Sequence, residues 1–461
     1  MDIFKGRILI LFLLLNGLII RPSFSQVTDS SESSAVSKGV FKAHLRSFFM
    51  ATDNDVRLKD AYALAFGAGL SYETPKFHGF QGGFTGFFIF NLVSSDLGLA
   101  DPLSKGMNRY EIGLFDINRP DNKMDLDRLE DLFIRYNYGK SKIELGRFEI
   151  NTPFINRQDG RMRGTIEEGV WAEVNQLANI KLEGGWLWKI SPRSTIDWYR
   201  MEDSYGVYAG GVNEEGKKSD YAGNVQSIGT ALAGLTVRTS ENVKFQVWNQ
   251  FAENVFNTAM LQSDISLKLK GSKKVLAGVM IIRQDAIANG GHPDPARAYI
   301  RKGSQSYVFS TRLGLSDGKS EWTLNYTQFS KDDRFLMPRE WGREPFYTFM
   351  PRERTEGAAG VKAMVAKWSG KSKNGKWKPS LAAGYFDMPD VKDFKHNKYG
   401  MPSFAQVNAE VRYAFAGNLK GLQAFWLVAY KKRVGETYGE YKYVFNKVNM
   451  FNWNLVIDYT F

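Results

Sequence analysis

Hydrophobic and polar residues alternate along much of this chain with a period of two, which is typical of β-strands whose two faces meet different environments. The clearest example is the C-terminal run from Asn449 to Phe461, in which every second residue from Phe451 onward is apolar or aromatic. Aromatic residues stand at both ends of this face, and Leu455 and Ile457 lie between them. Because aromatic rings prefer the headgroup level of a bilayer, this order indicates a strand that crosses a membrane.

The same alternation predicts about eighteen strands of membrane-crossing length, and sixteen strands are the alternative count. All but one of the fourteen prolines fall outside these strands, and Pro379 stands at the start of one, where no ladder hydrogen bond is lost. The predicted strands lie near residues 40–51, 61–74, 79–92, 129–138, 141–150, 168–175, 178–190, 225–239, 242–252, 257–270, 274–284, 304–316, 319–330, 356–369, 376–387, 403–415, 421–432 and 450–461.

Short and long connections alternate between the predicted strands. The short ones are rich in glycine, lysine and asparagine, and the long ones lie mainly at 93–128, 191–224, 285–303, 331–355, 388–402 and 433–449. Tight turns on one rim and longer loops on the other are typical of outer-membrane barrels. We therefore predict an all-β fold, a transmembrane antiparallel β-barrel over residues 39–461, with both termini in the periplasm.

The first 25 residues have the order of a secretory signal peptide. Two basic residues precede an apolar run over residues 8–20, and Ser-Phe-Ser at 23–25 supplies a cleavage site of small residues. We expect cleavage after Ser25, which leaves residues 26–38 as a short periplasmic segment. The chain has no cysteine, which excludes disulfides and acylation at a cysteine.

The chain is basic, with 61 Lys and Arg against 49 Asp and Glu and a formal charge of +12. Two interpretations fit this excess: a soluble surface that faces lipid phosphates, or a positive field that lines a passage and concentrates anions. If the aliphatic face of each strand meets lipid, the other face lines a polar, water-filled lumen. The predicted lumen-lining charged residues are Lys42, Arg46, Arg135, Lys181, Lys244, Lys268, Glu410, Arg412 and Lys431. Bases outnumber acids in this set, which favours a weakly anion-selective pore.

The connection at 151–167 is the third on the rim of long loops and carries Arg157, Asp159, Arg161 and Arg163. On an outward loop these charges would simply be solvated. If the loop folds into the lumen, its guanidinium groups stand where a solute must pass. Guanidinium groups suit carboxylates because they donate paired hydrogen bonds. These four residues are therefore the candidates for a constriction and a substrate pathway.

The stretch around this loop resembles the OprD family of outer-membrane porins, also called the outer-membrane carboxylate channels. The resemblance rests on Leu-Gly-Arg at 145–147, Thr152-Pro153 directly after a strand, Asp-x-Arg-Met at 159–162 and Glu-Gly at 168–169. A weaker likeness lies over residues 410–433. The resemblance implies eighteen strands, an inward-folded third loop and a series of basic residues that guides carboxylates. Where family members carry a proline and a bulky residue after Arg-Met, this chain has Arg163-Gly164-Thr165-Ile166.

We therefore predict a porin in the outer membrane of a Gram-negative bacterium, through which small hydrophilic solutes diffuse passively without a cofactor, a metal or catalysis. Anionic or carboxylate-bearing solutes are the expected class. The terminal Phe461 resembles the ending by which outer-membrane proteins are recognised, so it is the predicted signal for the assembly machinery. The other expected partner is outer-membrane lipid, with no nucleic acid, and the expected state is a monomer or a loose trimer.

Two other classes of barrel are alternatives. A structural or adhesive barrel without specific conduction fits the strand pattern equally well. An outer-membrane hydrolase needs a nucleophile beside a base, and the four histidines, His44, His78, His292 and His396, show no such spacing. A transporter with an N-terminal plug is disfavoured, because the first predicted strand begins only about fourteen residues after the predicted cleavage site.

Overall fold

A computed structural model describes residues 38–158, 160–352 and 354–461. The predicted signal peptide, nearly all of the segment 26–38 and the candidate residue Asp159 lie outside the described residues. Within the described ranges, eighteen antiparallel strands form one closed barrel, because each strand pairs with the next and the last pairs with the first. The predicted fold class is thereby confirmed.

The strands are numbered in chain order, and their bounds agree with the predicted strands to within a few residues at most ends. They are β1 (Val40–Asp53), β2 (Ala61–Glu73), β3 (Phe80–Ser94), β4 (Arg128–Tyr138), β5 (Ser141–Phe148), β6 (Ile166–Val174), β7 (Ile180–Ser191), β8 (Thr230–Ser240), β9 (Val243–Ala252), β10 (Phe256–Lys268), β11 (Lys274–Ala286), β12 (Gln305–Ser316), β13 (Ser320–Phe329), β14 (Lys362–Gly370), β15 (Trp377–Asp387), β16 (Phe404–Ala414), β17 (Leu422–Arg433) and β18 (Met450–Thr460).

Two predicted strands begin too early. The strand predicted from 225 begins at Thr230, after Gly229, and the strand predicted from 356 begins at Lys362, after Gly357 and Gly360. These three glycines have positive φ angles of 149°, 83° and 66°, so the backbone turns there and does not extend. Sequence alternation continues into these turns by chance, and the glycines mark the true starts.

Helical structure in the described residues is confined to short segments of the connections. They are the helix α1 (Met201–Ser204) and the 3-10 turns Ile112–Leu114, Gly417–Leu419 and Tyr441–Tyr443. A two-residue strand, Tyr199–Arg200, pairs with the end of β7 outside the closed ring. No described helix has the length and apolar character to span a membrane.

The two rims of the barrel differ in the length of their connections. One rim, the short-turn rim, holds the chain ends of the barrel and the turns 74–79, 139–140, 175–179, 241–242, 269–273, 317–319, 371–376 and 415–421. The opposite rim holds the loops, numbered in chain order as loop 1 (54–60), loop 2 (95–127), loop 3 (149–165), loop 4 (192–229), loop 5 (253–255), loop 6 (287–304), loop 7 (330–361), loop 8 (388–403) and loop 9 (434–449). The predicted alternation of short and long connections is present, although loop 5 is as short as a turn.

The buried hydrophobic core lies inside the barrel, because several long loops fold back into it. On one side, Trp341 and Phe335 of loop 7 pack with Tyr205 of loop 4 and Phe256 of β10. A second cluster packs loop 2 and Met162 of loop 3 against β1, β2 and β3. Large apolar side chains on the outer face, such as Leu313 and Trp322, are more than half exposed, as lipid-facing residues are.

The seam between β1 and β18 closes the barrel in a single register from His44 opposite Thr460 to Asp53 opposite Phe451. Phe461 extends it, because its backbone N–H and C=O both bond to Ala43. On the inner face, Asp458 accepts a hydrogen bond from Arg46 Nε at 2.7 Å and lies 3.0 Å from His44 Nε2. The role of Phe461 as an assembly signal stays a prediction.

We predict that Asp458→Ala weakens the seam, because it removes the carboxylate that faces Arg46, whose side chain is only 7% exposed. The pair is partly buried, so its loss should cost between the roughly 1 kcal/mol of an exposed ion pair and the roughly 3 kcal/mol of a buried one. Urea-induced unfolding in lipid vesicles measures the change, and Asp294→Ala, at an exposed position in loop 6, is the control. Equal stabilities of the two variants would contradict the contribution of the seam ion pair.

Candidate functional site

Loop 3 lies inside the lumen, between the wall formed by β1 and the inward-folded loop 7. On the wall side, Arg46 Nη1 donates to the backbone oxygen of Arg161 at 2.9 Å. On the other side, Asn156 donates its backbone N–H to Trp341 O at 2.9 Å and its side-chain amide to Arg343 O at 3.0 Å. Loop 3 thus crosses the interior, as the family resemblance implied.

The local sequence explains this compact shape. Thr152 Oγ1 accepts the backbone N–H of Ile155 at 3.0 Å and donates to its carbonyl at 2.8 Å, which closes a tight turn directly after β5. Further along, Gly164 lies so close to Arg157 that a Cβ atom there would stand 2.2 Å from Arg157 Cγ. Gly164 therefore permits the return of the loop, and a larger residue at this position would displace Arg157.

The three described arginines predicted for the constriction have different surroundings. Arg157 is half-buried and pairs with Glu149 at 3.0 Å. Arg161 is buried, and its Nη1 donates to Gly160 O at 2.7 Å. Arg163 is buried against the wall, where its Nη2 donates to Phe87 O at 2.9 Å and to Leu126 O at 2.7 Å. Arg163 thus anchors loop 3 to β3 and loop 2.

Arg161 belongs to a larger arginine cluster that sequence reasoning missed. Loops 2, 3, 4 and 7 bring together Arg109, Arg161, Arg193, Arg352 and Arg354. The Nη1 atoms of Arg193 and Arg352 both lie 3.8 Å from the position that a Cβ would take on Gly160. These five residues are called the arginine cluster below. They come from four loops that share no sequence motif. The closely spaced Arg352 and Arg354 are the one local feature of the sequence that could have indicated the cluster.

The charges of the arginine cluster oppose one another. Burial lowers the pKa of Arg161 to about 9, and the charge of Arg352 lowers it as well. Burial also lowers the pKa of Arg193 and of Arg352 to about 10, with contributions from Arg161 and Arg193 respectively. An anion placed among these guanidinium groups would relieve both the repulsion and the loss of hydration.

Hydrogen bonding holds the arginine cluster in place. Arg352 Nε donates to Asn452 Oδ1 at 2.8 Å, and its backbone oxygen accepts from Tyr110 Oη at 3.0 Å. Arg354 Nη2 donates to Arg339 O at 3.1 Å and also bonds to Gln158 of loop 3. The Nε atoms of Arg161 and Arg193 are buried and have no hydrogen-bond partner among the described residues. These two atoms are donors with unused capacity.

Two cavities lie between the loops and the short-turn rim. The first, of about 360 Å³, is lined by Lys42, Arg46 and Asp458 from the seam and by Arg157 of loop 3. The second, of about 410 Å³, lies beneath loop 7 and is lined by charged residues from several strands and from that loop, among them Arg312, Arg343, Lys367 and Glu410. Both cavities therefore mix cations with carboxylates.

The predicted lumen-lining residues lie on the inward face, but many of the bases on the strands pair with nearby acids, on the same strand, on another strand or in a turn. These ion pairs join Arg135 to Glu73 and Glu144, Lys181 to Glu173 and Glu183, Lys244 to Asp264, and Lys268 to Glu241. Arg412 stacks over Phe425, and the fully buried Lys431 lies over Phe404. Over the loops as a whole, acids slightly outnumber bases, so the arginine cluster is a local concentration of positive charge and not part of a general excess in the loops.

A closed barrel whose long loops narrow the lumen defines a porin, a membrane protein through which small solutes diffuse passively. The family described as outer membrane porin, OprD family, matches residues 78–350. The chain belongs to this family, whose barrels reside in the Gram-negative outer membrane. This membership and the fold indicate a channel and not an enzyme. No curated protein sequence matches the chain.

Solved structures of similar fold include proteins of Pseudomonas aeruginosa and Acinetobacter baumannii, and 92% of the chain aligns with each of the three named here. OccK9 (OpdG) of Pseudomonas aeruginosa is 13% identical, with a TM-score of 0.71 over 98% of its length. OpdK of the same organism, solved with vanillate, is 14% identical, with a TM-score of 0.68 over 98% of its length. OccAB4 of Acinetobacter baumannii is 15% identical, with a TM-score of 0.68 over 98% of its length. At such low identity these likenesses show the fold alone.

A buried lysine, Lys398, connects loop 8 with loops 4 and 6. Lys398 of loop 8 is 2% exposed, and its Nζ donates to Tyr221 Oη of loop 4 at 3.1 Å. The same ammonium group lies 4.4 Å from the ring centroid of Tyr221 and 4.7 Å from that of Tyr299 in loop 6. Burial lowers the pKa of Lys398 to about 7 from its usual 10.5, so the packed loops disfavour its charged form.

We predict that the packing of loop 8 becomes more stable as the pH rises from 7 to 9. The penalty for burying the charged lysine is complete below about pH 7 and disappears as the pH approaches 10.5. Hydrogen exchange of residues 388–403, corrected for the intrinsic rate, should therefore show greater protection at pH 9. Lys398→Met should remove this difference, and an equal difference in the variant would contradict the role of Lys398.

Proposed function

We propose that the chain is a passive outer-membrane channel for small hydrophilic anions, carboxylates in particular, and that the arginine cluster is where anions are selected. In this proposal the short-turn rim and both termini face the periplasm, and the loops face outward. The observation that supports it most is the convergence of five guanidinium groups from four loops inside the lumen. A merely structural or adhesive barrel has no need of a buried cluster of like charges.

The selection mechanism follows from the chemistry of the cluster. A carboxylate entering from the loop side meets donors that are already held in place, so little ordering is needed to bind it. Arg161 and Arg193 each keep a buried Nε that lacks a partner among the described residues, and such an atom gains a hydrogen bond when an anion arrives. Fast release is equally necessary for conduction, because a tightly bound solute blocks its own channel.

The two cavities between the loops and the short-turn rim support a route by which the solute leaves, because both are lined by cations and carboxylates. In the first cavity, Arg46 is already neutralised by Asp458, while Arg157 pairs with Glu149. A carboxylate leaving the arginine cluster therefore meets cations that are shared with protein acids and hold it less strongly. The affinity for an anion then falls along the path, which favours release. OpdK was solved with vanillate, so we include vanillate among the solutes to be tested.

The test is uptake by proteoliposomes of acetate, vanillate and a neutral sugar of similar size. We predict that Arg161→Gln combined with Arg193→Gln lowers the ratio of anion to sugar uptake about tenfold. A unit charge a few Å from a carboxylate contributes about 1 kcal/mol or more to attraction, and this variant removes two. Unchanged sugar uptake would show that the channel still forms.

Arg283→Gln is the matched control, because Arg283 lies on the outer face, is half exposed and pairs with Asp285. It removes one positive charge without touching the lumen, so the uptake ratio should stay as in the unmodified chain.

Arg163→Gln should instead lower stability, since Arg163 anchors loop 3 to backbone oxygens. An unchanged ratio in the Arg161 and Arg193 variant would mean that the cluster does not line the passage.

A further inference from the structure

Lysine residues are unevenly distributed around the short-turn rim. Four consecutive turns, at 269–273, 317–319, 371–376 and 415–421, connect strands β10 to β17 and together carry seven lysines and one aspartate. The other four turns, at 74–79, 139–140, 175–179 and 241–242, carry two lysines and one glutamate. The seven lysines, called the lysine arc below, are Lys270, Lys273, Lys319, Lys371, Lys373, Lys376 and Lys420.

The lysine arc is available to a partner outside the chain. Six of its members are exposed, and Lys376 is half-buried. Among the described residues, no ion pair involves any of the seven, in contrast to Lys268 nearby, which pairs with Glu241. The one aspartate of these turns, Asp317, accepts the backbone N–H groups of Lys319 and Ser320 at 2.8 and 2.7 Å, so it closes its own turn. The arc therefore presents charge that the protein does not neutralise.

A group of aromatic residues on the outer face marks the membrane boundary next to the arc. Trp322 pairs across strands with Trp368, with ring centroids 5.8 Å apart, and Trp377 pairs with Tyr413 at 4.5 Å. Trp322 and Trp377 are 61% and 50% exposed. All four residues lie within three positions of a turn of the arc. Such rings sit at the headgroup level of a bilayer, so the lysines beside them reach the phosphate layer.

The position of the arc favours lipid over a soluble acidic protein. The four turns span only three to seven residues each and project little beyond the strands. The lipid-facing tryptophans beside their ammonium groups lie on β13, β14 and β15, in the middle of the arc. A specific protein partner buries a compact patch of about 800 Å² on each side, whereas a row of lipid headgroups follows the curved rim of a barrel. Anionic headgroups gain from each nearby lysine without any fixed geometry.

We propose that the lysine arc binds anionic phospholipid headgroups and holds a shell of anionic lipid around strands β10 to β17. This interaction is separate from solute conduction and requires only that the barrel spans a membrane. It makes the lipid shell asymmetric, with an anionic half along the arc and a neutral half along the opposite strands. The partner is defined by its chemistry, a phosphate diester headgroup with a net negative charge.

The test uses the full barrel in phosphatidylcholine bilayers with spin-labelled phosphatidylglycerol or spin-labelled phosphatidylcholine. Electron paramagnetic resonance gives the fraction of each lipid that the protein immobilises, and therefore the relative association constant. We expect a preference for phosphatidylglycerol that decreases at high salt. Lys371→Gln combined with Lys373→Gln should lower the preference at least about twofold, because each removes one charge from the headgroup layer.

The matched control is Lys76→Gln combined with Lys140→Gln, which removes two exposed turn lysines from the opposite side of the same rim. It should leave the preference unchanged. Equal losses in both double variants would show that net charge and not the arc attracts the lipid, and this would overturn the proposal. The proposal would also be overturned if the unmodified barrel showed no preference for phosphatidylglycerol over phosphatidylcholine. If the arc bound an acidic protein in that case, its partner would be a soluble protein. Solute uptake by the same preparations reports separately on conduction.

Discussion

The hydrogen-bonded seam between the first and last strands is the interaction on which the rest of the structure depends. In a bilayer, each unpaired backbone group at a sheet edge costs several kcal/mol, so a sheet of this length is stable there only when it closes. Closure requires that β1 and β18 pair in register. Their pairing runs from Ala43 opposite Phe461 to Asp53 opposite Phe451. The inward pair of Arg46 and Asp458 adds a charged contact to this backbone ladder.

Inside the closed wall, the loops determine how wide the lumen is and which side chains line it. An empty cylinder of eighteen strands would be a wide and unselective pore. Here loops 3, 4, 6 and 7 fill much of the interior with packed aromatic side chains, and the same packing buries the arginine cluster. Burial makes these charges costly, as the lowered pKa values of Arg161 and Arg352 indicate. The hydrophobic packing of the loops offsets that cost and keeps the guanidinium groups in place for an anion.

The wall could be predicted from the sequence because alternation is a local property that each strand shows on its own. The residues of loop 3 left its direction open, because its arginines suit an outward loop as well as an inward one, and only the resemblance around Thr152-Pro153 and Asp-x-Arg-Met implied that the loop folds into the lumen. The arginine cluster could not be predicted, because Arg109, Arg193 and Arg352 are separated by 84 and 159 positions and meet only through loop packing. The ion pairs between strand residues were not predicted for a related reason. Glu144 neutralises the charge of Arg135, and the two residues are opposite each other only in the observed register.

In the proposed function, the arginine cluster gives the lumen a local positive field that favours anions. The most direct measurement is the zero-current reversal potential of the unmodified channel in a planar bilayer across a tenfold gradient of potassium chloride. Because five guanidinium groups meet in the arginine cluster inside the lumen, we expect a potential whose sign shows chloride to be more permeant than potassium. A potential of the opposite sign, or no conductance from correctly folded barrels, would contradict it.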